Sequence, residues 1–169
     1  MANFKDSPNW EIHDDYYTKK TTWELITPFI PKDKKIWEFC LLNSNEQSKK
    51  DLQSLGYEVV GDKSIDFLNN NLDADILVSN IPFSTEIKIK IMKRLIKLDK
   101  PFIFIMNSLN LFTKYFKEIF GDKDIQIIYP THKIHYYKFK DGKLEENYKT
   151  SFYSVFVSYK IVKKDIWIE

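Results

Sequence analysis

The stretch Asp75-Ile76-Leu77-Val78-Ser79-Asn80-Ile81-Pro82-Phe83 decides the fold. It begins with a near-continuous apolar run, which is typical of a strand buried on both faces of a parallel sheet. Directly after it, residues Ser84–Leu98 carry apolar side chains at spacings of three or four, with charged side chains between them. That periodicity predicts an amphipathic helix that crosses over to the next parallel strand. The stretch therefore indicates an α/β unit.

The same alternation of strand and helix continues on both sides of this unit. We predict helices over Thr21–Ile26, Ser44–Leu55 and Leu109–Phe120, and strands over Lys35–Cys40, Tyr57–Val60, Pro101–Met106 and Ile125–Tyr129. After residue 130 the pattern changes, and Ile134–Phe139, the turn Asp141-Gly142 and Tyr153–Tyr159 predict an antiparallel pair of strands. Together these elements predict a three-layer, mostly parallel α/β sheet with an antiparallel C-terminal edge.

The size and composition of the chain fit one domain. Its 169 residues, 43% of them hydrophobic, are enough to fill one core, and no repeat or linker marks a boundary. We expect a single domain over 1–169, with an N-terminal helical segment (1–33), an α/β core (34–130) and C-terminal antiparallel strands (131–169). No apolar run reaches about 18 residues, the length of a membrane span, and the N-terminus lacks the apolar core of a secretory signal. Because Cys40 is the single cysteine, we expect a cytoplasmic protein without disulfides.

The charge of the chain is nearly balanced, since 26 basic and 24 acidic residues give a net charge of +2. This balance names no partner, and it lacks the strong basic excess of a protein that coats nucleic acid. All but one of the basic residues are lysine, so the arginine contact to guanine that dominates major-groove reading depends on Arg94 alone. Any contact with nucleic acid is therefore expected to rely on phosphate charge.

The tetrapeptide Asn80-Ile81-Pro82-Phe83 carries the candidate chemistry. It follows a buried strand, and the working residues of open α/β sheets lie at the carboxyl ends of the strands. An asparagine carbonyl oxygen can accept a hydrogen bond from an exocyclic amino group, proline presents its backbone carbonyl rigidly, and an aromatic ring stacks on a base. The pattern fits the capture of a flipped-out base. The alternative is a turn that ends a strand, with Phe83 in the core.

The tetrapeptide resembles a motif of S-adenosylmethionine-dependent adenine amino-methyltransferases, which reads Asp, Asn or Ser, then Pro, Ile or Leu, then Pro, then an aromatic residue. The version with isoleucine in second place, in Val78-Ser79-Asn80-Ile81-Pro82-Phe83-Ser84-Thr85, is similar to the ribosomal RNA adenine dimethylases. Elsewhere the chain resembles short DNA adenine methyltransferase-like proteins of phages and large viruses, on Tyr17-Thr18-Lys19, Ile36-Trp37-Glu38, Leu98-Asp99-Lys100-Pro101-Phe102-Ile103 and Ile134-His135. The resemblance implies a Rossmann-like class I methyltransferase fold and S-adenosylmethionine as cofactor. It also implies nucleic acid as substrate, with DNA favoured over RNA.

The same resemblance implies roles for individual residues. The catalytic set would be Asn80, Ile81, Pro82 and Phe83: Asn80 and the Pro82 carbonyl hold the target amino group, and Phe83 stacks on adenine. The methyl group would then pass in line without a dedicated base.

The cofactor-binding set implied by the resemblance is Thr18, Glu38, Phe39, Asp62, Asp66 and Phe67. Asp66-Phe67 matches the family's Asp-Phe pair beside the adenine ring of the cofactor, Asp62 would hold the ribose hydroxyls, and Glu38 stands at the acidic position of the first motif. On the other interpretation, Asp62 and Asp66 are ordinary loop carboxylates and Phe67 is part of the core.

One motif departs from the family. The turn after its acidic residue normally contains glycine, whereas Phe39-Cys40-Leu41-Leu42-Asn43-Ser44-Asn45 contains none, which disfavours positive φ and a close approach of the cofactor. Asn43 or Asn45 could still adopt the left-handed conformation. An inactive methyltransferase-fold protein that serves as a binding or structural subunit is therefore the alternative function.

Other patterns are less specific. His132 and His135 would face opposite sides of a strand and have no carboxylate or thiol at ligand spacing, so we predict polar surface and no metal site.

The lysines and aromatic rings of residues 133–143 could follow phosphates and stack on bases, or they could simply form a solvated edge hairpin. No region is long enough for a separate recognition domain, which makes a protein partner one source of specificity. Many lysines and asparagines indicate an AT-rich genome, as in a virus.

Overall fold

Ten strands and four α-helices make up the described part of the chain. The computed structural model describes residues 16–41, 46–140, 143–147 and 150–169. The strands are β1 (Tyr16–Thr18), β2 (Ile36–Glu38), β3 (Val59–Val60), β4 (Ile76–Asn80), β5 (Phe102–Asn107), β6 (Ile125–Pro130), β7 (Tyr136–Lys140), β8 (Lys143–Asn147), β9 (Ser154–Tyr159) and β10 (Ile166–Ile168). The α-helices are α1 (Lys20–Glu24), α2 (Gln47–Ser54), α3 (Thr85–Leu98) and α4 (Lys114–Phe120), and short 3-10 helices cover Thr27–Phe29 and Ser108–Phe112.

A seven-stranded sheet in the order β10-β6-β9-β5-β4-β2-β3 forms the middle layer. Strand β9 is antiparallel to both of its neighbours, β5 and β6, and the other neighbouring pairs are parallel. Helices α3 and α4 contribute to the apolar cluster on one face, and α1 and α2 contribute to the cluster on the other. The predicted three-layer, mostly parallel α/β architecture is therefore confirmed, and it brings the carboxyl ends of β2, β4 and β5 to one edge.

The predicted pairing of Ile134–Phe139 with Tyr153–Tyr159 is wrong. Strand β9 lies inside the main sheet, because Val155, Phe156 and Val157 are buried in succession, as in a strand covered on both faces. Strand β7 instead forms a hairpin with β8 and also pairs with β1, which makes a separate three-stranded antiparallel sheet. The C-terminal strand at the edge of the main sheet is β10, which is parallel to β6. The predicted turn Asp141-Gly142 lies outside the described residues.

Two helical predictions also need correction. The helix predicted over Leu109–Phe120 is interrupted at Thr113, whose backbone is extended (φ −89°, ψ 150°) and whose Oγ1 accepts a hydrogen bond from the Phe116 N–H at 3.3 Å. Threonine is a preferred N-cap, so it starts a new helix there. The described part of the segment 1–33, predicted to be helical, contains α1 and a 3-10 helix but also strand β1. Ser44, the predicted cap of α2, lies outside the described residues.

Gly61, directly after β3, is a position where the fold requires glycine. Its φ is +93°, and a Cβ atom there would lie 2.8 Å from the Trp37 indole and 3.3 Å from the Glu38 carbonyl oxygen. We expect Gly61→Ala to lower the free energy of unfolding, measured in urea, by about 2 kcal/mol or more, from backbone strain plus the clash. Gly56→Ala is the matched control: its φ is +91°, but its Cβ would meet only Lys32 Cδ at 4.0 Å. Equal losses in the two variants would contradict the clash with Trp37.

Candidate active site

Asn80 is the last residue of β4, and its half-buried side chain lies at the carboxyl edge of the sheet. Its backbone lies opposite Ile105 of β5 in the sheet register. The side-chain Nδ2 donates a hydrogen bond to the Tyr16 carbonyl at 3.4 Å. No described residue donates a hydrogen bond to Asn80 Oδ1. This oxygen can therefore accept a hydrogen bond from an amino group of a ligand.

The rest of the tetrapeptide is anchored by packing. Ile81 is buried, and its N–H donates a hydrogen bond to the Ile105 carbonyl at 3.3 Å, while Pro82 is also buried. The Phe83 ring is half-buried, with its centroid 5.1 Å from that of Tyr16 and 5.2 Å from that of Phe152. Phe83 thus packs on other rings, as in the core interpretation, and also keeps exposed surface for stacking.

Among the described residues, Phe83 belongs to an aromatic cluster of four rings, which are Tyr16, Phe83, Tyr136 and Phe152. Tyr136 is buried, and its hydroxyl is 2.7 Å from Ser154 Oγ. The antiparallel pairing of β1 with β7 brings Tyr16 and Tyr136 together. The sequence analysis did not identify Tyr16 or Phe152 as site residues, because their proximity to Phe83 depends on contacts between distant segments.

Glu38 is the buried carboxyl group of the site, with 2% of its surface exposed. Its Oε1 accepts hydrogen bonds from the Cys40 N–H at 3.0 Å and from the Ser79 hydroxyl. Burial raises the pKa of Glu38 to about 7, and the hydrogen bonds from Ser79, Cys40 and Ser48 partly oppose that rise. The side chain thus ties the loop after β2 to the residue before Asn80.

Phe39 and Phe67, which were both assigned to the cofactor site, contact each other. Their rings are stacked at 4.3 Å between centroids, and Trp37 packs against Phe67 at 5.2 Å. Phe67 is only 2% exposed, which agrees with the alternative interpretation that it belongs to the core.

The two aspartates predicted to bind cofactor lie in turns after β3. Asp66 is half-buried, and its carboxylate accepts hydrogen bonds from the Leu68 N–H at 3.0 Å and from the Asn69 side-chain amide. Asp62 is exposed, and its carboxylate accepts from the Ser64 N–H at 2.7 Å and from the Ser64 hydroxyl. Both carboxylates therefore have a local role in shaping their turns.

Thr18 ends β1 and is buried, and no described residue forms a hydrogen bond with its Oγ1. A buried hydroxyl without a partner is unusual and is consistent with a polar ligand nearby.

The residues assigned to the cofactor site fit S-adenosylmethionine in their chemistry. The carboxylates of Asp62 and Asp66 can accept hydrogen bonds from ribose hydroxyls and from the adenine amino group. The positive φ of Gly61 lets the chain before Asp62 pass within van der Waals distance of the end of β2. The glycine-free segment 42–45 lies outside the described residues.

His132 and His135 do not lie on a strand, contrary to the prediction that they face opposite sides of one. Both precede β7 and line a common surface cleft. Within residues 16–41, 46–140, 143–147 and 150–169, no three histidine, cysteine or acidic side chains are grouped as a metal site would require. None of the helices in those ranges has the length and apolar character of a membrane span.

Comparison with known proteins shows that the fold of the chain is similar to that of solved structures. No protein-family model matches the chain, and no curated protein matches its sequence. Among solved structures it is similar to a candidate RNA methyltransferase of Pyrococcus horikoshii, with a TM-score of 0.53 and 14% identity over 96% of this chain and 94% of that chain. A candidate class I S-adenosylmethionine-dependent methyltransferase of Listeria monocytogenes gives a TM-score of 0.49 and 13% identity over 86% of this chain and 60% of that chain. The chain has a Rossmann-like α/β fold similar to that of class I methyltransferases.

Proposed function

We propose that the chain is an S-adenosylmethionine-dependent methyltransferase that modifies the exocyclic amino group of adenine in nucleic acid. The observation that carries the proposal is the geometry at the end of β4, where Asn80 Oδ1 is open to a ligand beside the half-buried Phe83 ring. The position of this pair at the carboxyl edge of a class I methyltransferase-like sheet supports it.

Each residue of the tetrapeptide has a distinct task in this proposal. Asn80 Oδ1 and the Pro82 carbonyl would accept the two hydrogens of the amino group, which orients its nitrogen. Phe83 would hold the base by stacking, and the aromatic cluster would fix the position of Phe83. Asp62, Asp66 and Thr18 would hold S-adenosylmethionine, which would supply an electrophilic methyl group. Positioning by preorganised acceptors is then the main contribution of the chain to catalysis.

An inactive methyltransferase-fold binding protein is the second candidate function. It is favoured by the first loop, which has no glycine between residues 39 and 45 and in which Phe39 and Leu41 are buried. The internal hydrogen bonds of Glu38 also occupy the acidic side chain at the end of β2. Binding of the cofactor separates the two candidates.

We expect calorimetric titration to show micromolar binding of S-adenosylmethionine and S-adenosylhomocysteine. Asp66→Asn should weaken both about tenfold or more, because the amide keeps one oxygen for the Leu68 N–H but loses a charged acceptor for the adenine amino group. Asp73→Asn is the matched control, since Asp73 is exposed before β4 and pairs with Lys35. If neither ligand gives a heat of binding, the enzyme is excluded and the chain is an inactive methyltransferase-fold binding protein.

A further inference from the structure

A cleft of about 450 Å³ opens beside the carboxyl end of β6. We call it the basic cleft. Most of its polar lining comes from two segments that are distant in sequence, with Lys19 and Lys20 at the start of α1 and His132, Lys133, His135 and Tyr137 around the start of β7. Glu169 is the one carboxylate side chain among the described residues that line it. Three lysines and one carboxylate side chain around one opening, beside two histidines that can donate hydrogen bonds, favour an anionic ligand.

Strand β1 connects the basic cleft to the candidate active site. At one end of this strand, Tyr16 contacts Asn80 through its carbonyl and Phe83 through its ring. At the other end, Lys19 follows Thr18 directly and reaches the cleft. Three residues of extended chain span about 10 Å. This length is comparable to one or two nucleotides of a polynucleotide backbone, so phosphates next to a base held at Phe83 would reach the cleft.

An exposed ring lies on the other side of Lys133. The Lys133 Nζ donates a hydrogen bond to the Thr150 carbonyl at 2.9 Å and lies 4.8 Å from the centre of the Tyr153 ring. Tyr153 is 59% exposed and directly follows Phe152 of the aromatic cluster. A cation beside an exposed aromatic ring, one residue from the cluster that holds Phe83, is a suitable place for a neighbouring base to stack.

We infer that the basic cleft and Tyr153 together hold a single strand of nucleic acid, with phosphates in the cleft and the base next to the target stacked on Tyr153. This inference deepens the proposed function, on whose substrate class it rests. A duplex fits less well, because its bases are stacked inside the helix and could not lie on Tyr153, and because Arg94, the one arginine, donates from Nη2 to the Asn70 carbonyl at 2.9 Å and does not line the cleft. An acidic peptide would not use the exposed stacking surface beside Lys133.

The environment of Lys19 supports the binding of phosphate. Lys19 is 8% exposed, its Nζ lies 5.2 Å from the centre of the Tyr137 ring, and desolvation lowers the pKa of its ammonium group. A phosphate placed in the cleft would stabilise the charged form of this lysine. Binding of a single strand would therefore gain from a cation that is already in position.

The test is fluorescence anisotropy of labelled 12-residue oligonucleotides, as single-stranded DNA, single-stranded RNA and duplex DNA, with the wild-type chain and no cofactor. We expect Lys20→Glu to weaken single-strand binding about tenfold at low salt, with a difference that shrinks as salt rises. Lys97→Glu is the matched control, because Lys97 is exposed near the end of α3, at the opposite edge of the sheet. Tyr153→Ala should weaken binding about fivefold or more with an unchanged salt dependence, whereas Tyr153→Phe should not.

Four results would overturn the inference: no single-strand binding, equal losses in Lys20→Glu and Lys97→Glu, full affinity in Tyr153→Ala, or tighter binding of duplex than of single strand. Preference for DNA or for RNA would support it equally and would name the polymer. This assay measures oligonucleotide binding without cofactor, so a negative result here can be distinguished from a negative result for cofactor binding, which tests the proposed function. If the chain binds the single strand through the cleft but gives no heat with S-adenosylmethionine, the inference of a single-strand site stands and the proposed methyltransferase activity is excluded.

Discussion

Replacing Asn80 with alanine is expected to lower the rate of methyl transfer about 100-fold or more and to leave the affinity for S-adenosylmethionine within about twofold. Asn80 Oδ1 is the open acceptor at the end of β4, and removal of a group that stabilises developing charge in a preorganised site typically has an effect of this size. The one hydrogen bond that the Asn80 side chain makes to a described residue is long, at 3.4 Å, so the variant should fold normally. The rate is measured with tritiated S-adenosylmethionine and adenine-containing oligonucleotides.

Asn71→Ala is the matched control for this prediction, because Asn71 is exposed in the connection before β4. It should retain the wild-type rate. An Asn80→Ala variant that is folded and transfers methyl groups at the wild-type rate would show that the end of β4 does not hold the target group. A folded variant with weakened cofactor binding would instead place Asn80 at the cofactor.

Replacing Glu38 with glutamine is expected to remove most of the pH dependence of stability between about pH 4.5 and pH 7. The pKa of Glu38 rises from 4.5 to about 7 because the carboxyl group is buried. The folded state therefore holds a proton that the unfolded state loses in this range, so the wild-type chain becomes less stable as the pH rises. By linkage, this shift corresponds to about 3 kcal/mol over the whole range. Glutamine keeps an oxygen for the Cys40 N–H and the Ser79 hydroxyl but does not ionise.

The measurement is the free energy of urea unfolding at several pH values for the wild-type chain, Glu38→Gln and Glu24→Gln. Glu24 is exposed at the end of α1, so its variant should follow the wild-type curve. At pH 8 we expect Glu38→Gln to be the more stable of the two glutamine variants. Parallel curves for the wild-type chain and Glu38→Gln would contradict the raised pKa.

The parts of the fold that could be predicted from sequence are those set by local patterns. The apolar run that became β4 and the periodicity of α3 both act within about 15 residues, because each fixes which side chains face the core. The position of β9 could not be predicted in this way. Its apolar run fits any strand covered on both faces, and only packing between β5 and β6, which are distant in sequence, decides where it lies. The break at Thr113 depended on the competition between helix propensity and a capping hydroxyl.

The residue types of the tetrapeptide predict a site at the end of a strand, but the side chains that surround it in the fold could not be predicted. The tetrapeptide at the end of β4 was recognised from its residue types, and the structure places Asn80 with an open acceptor. The aromatic cluster was not recognised, because it joins residues 16, 83, 136 and 152 through sheet pairing. The hydrogen bond from Ser79 to Glu38 was missed for the same reason, since it joins two strands that are neighbours only in the folded sheet.

The most direct test of the account is mass spectrometry of nucleosides released from single-stranded oligonucleotides after incubation with the chain and S-adenosylmethionine carrying a deuterated methyl group. The account predicts the label on the exocyclic nitrogen of adenine and its loss in Asn80→Ala. A chain that binds S-adenosylmethionine but leaves adenine unlabelled, or that transfers the label to another atom, would contradict the proposed function.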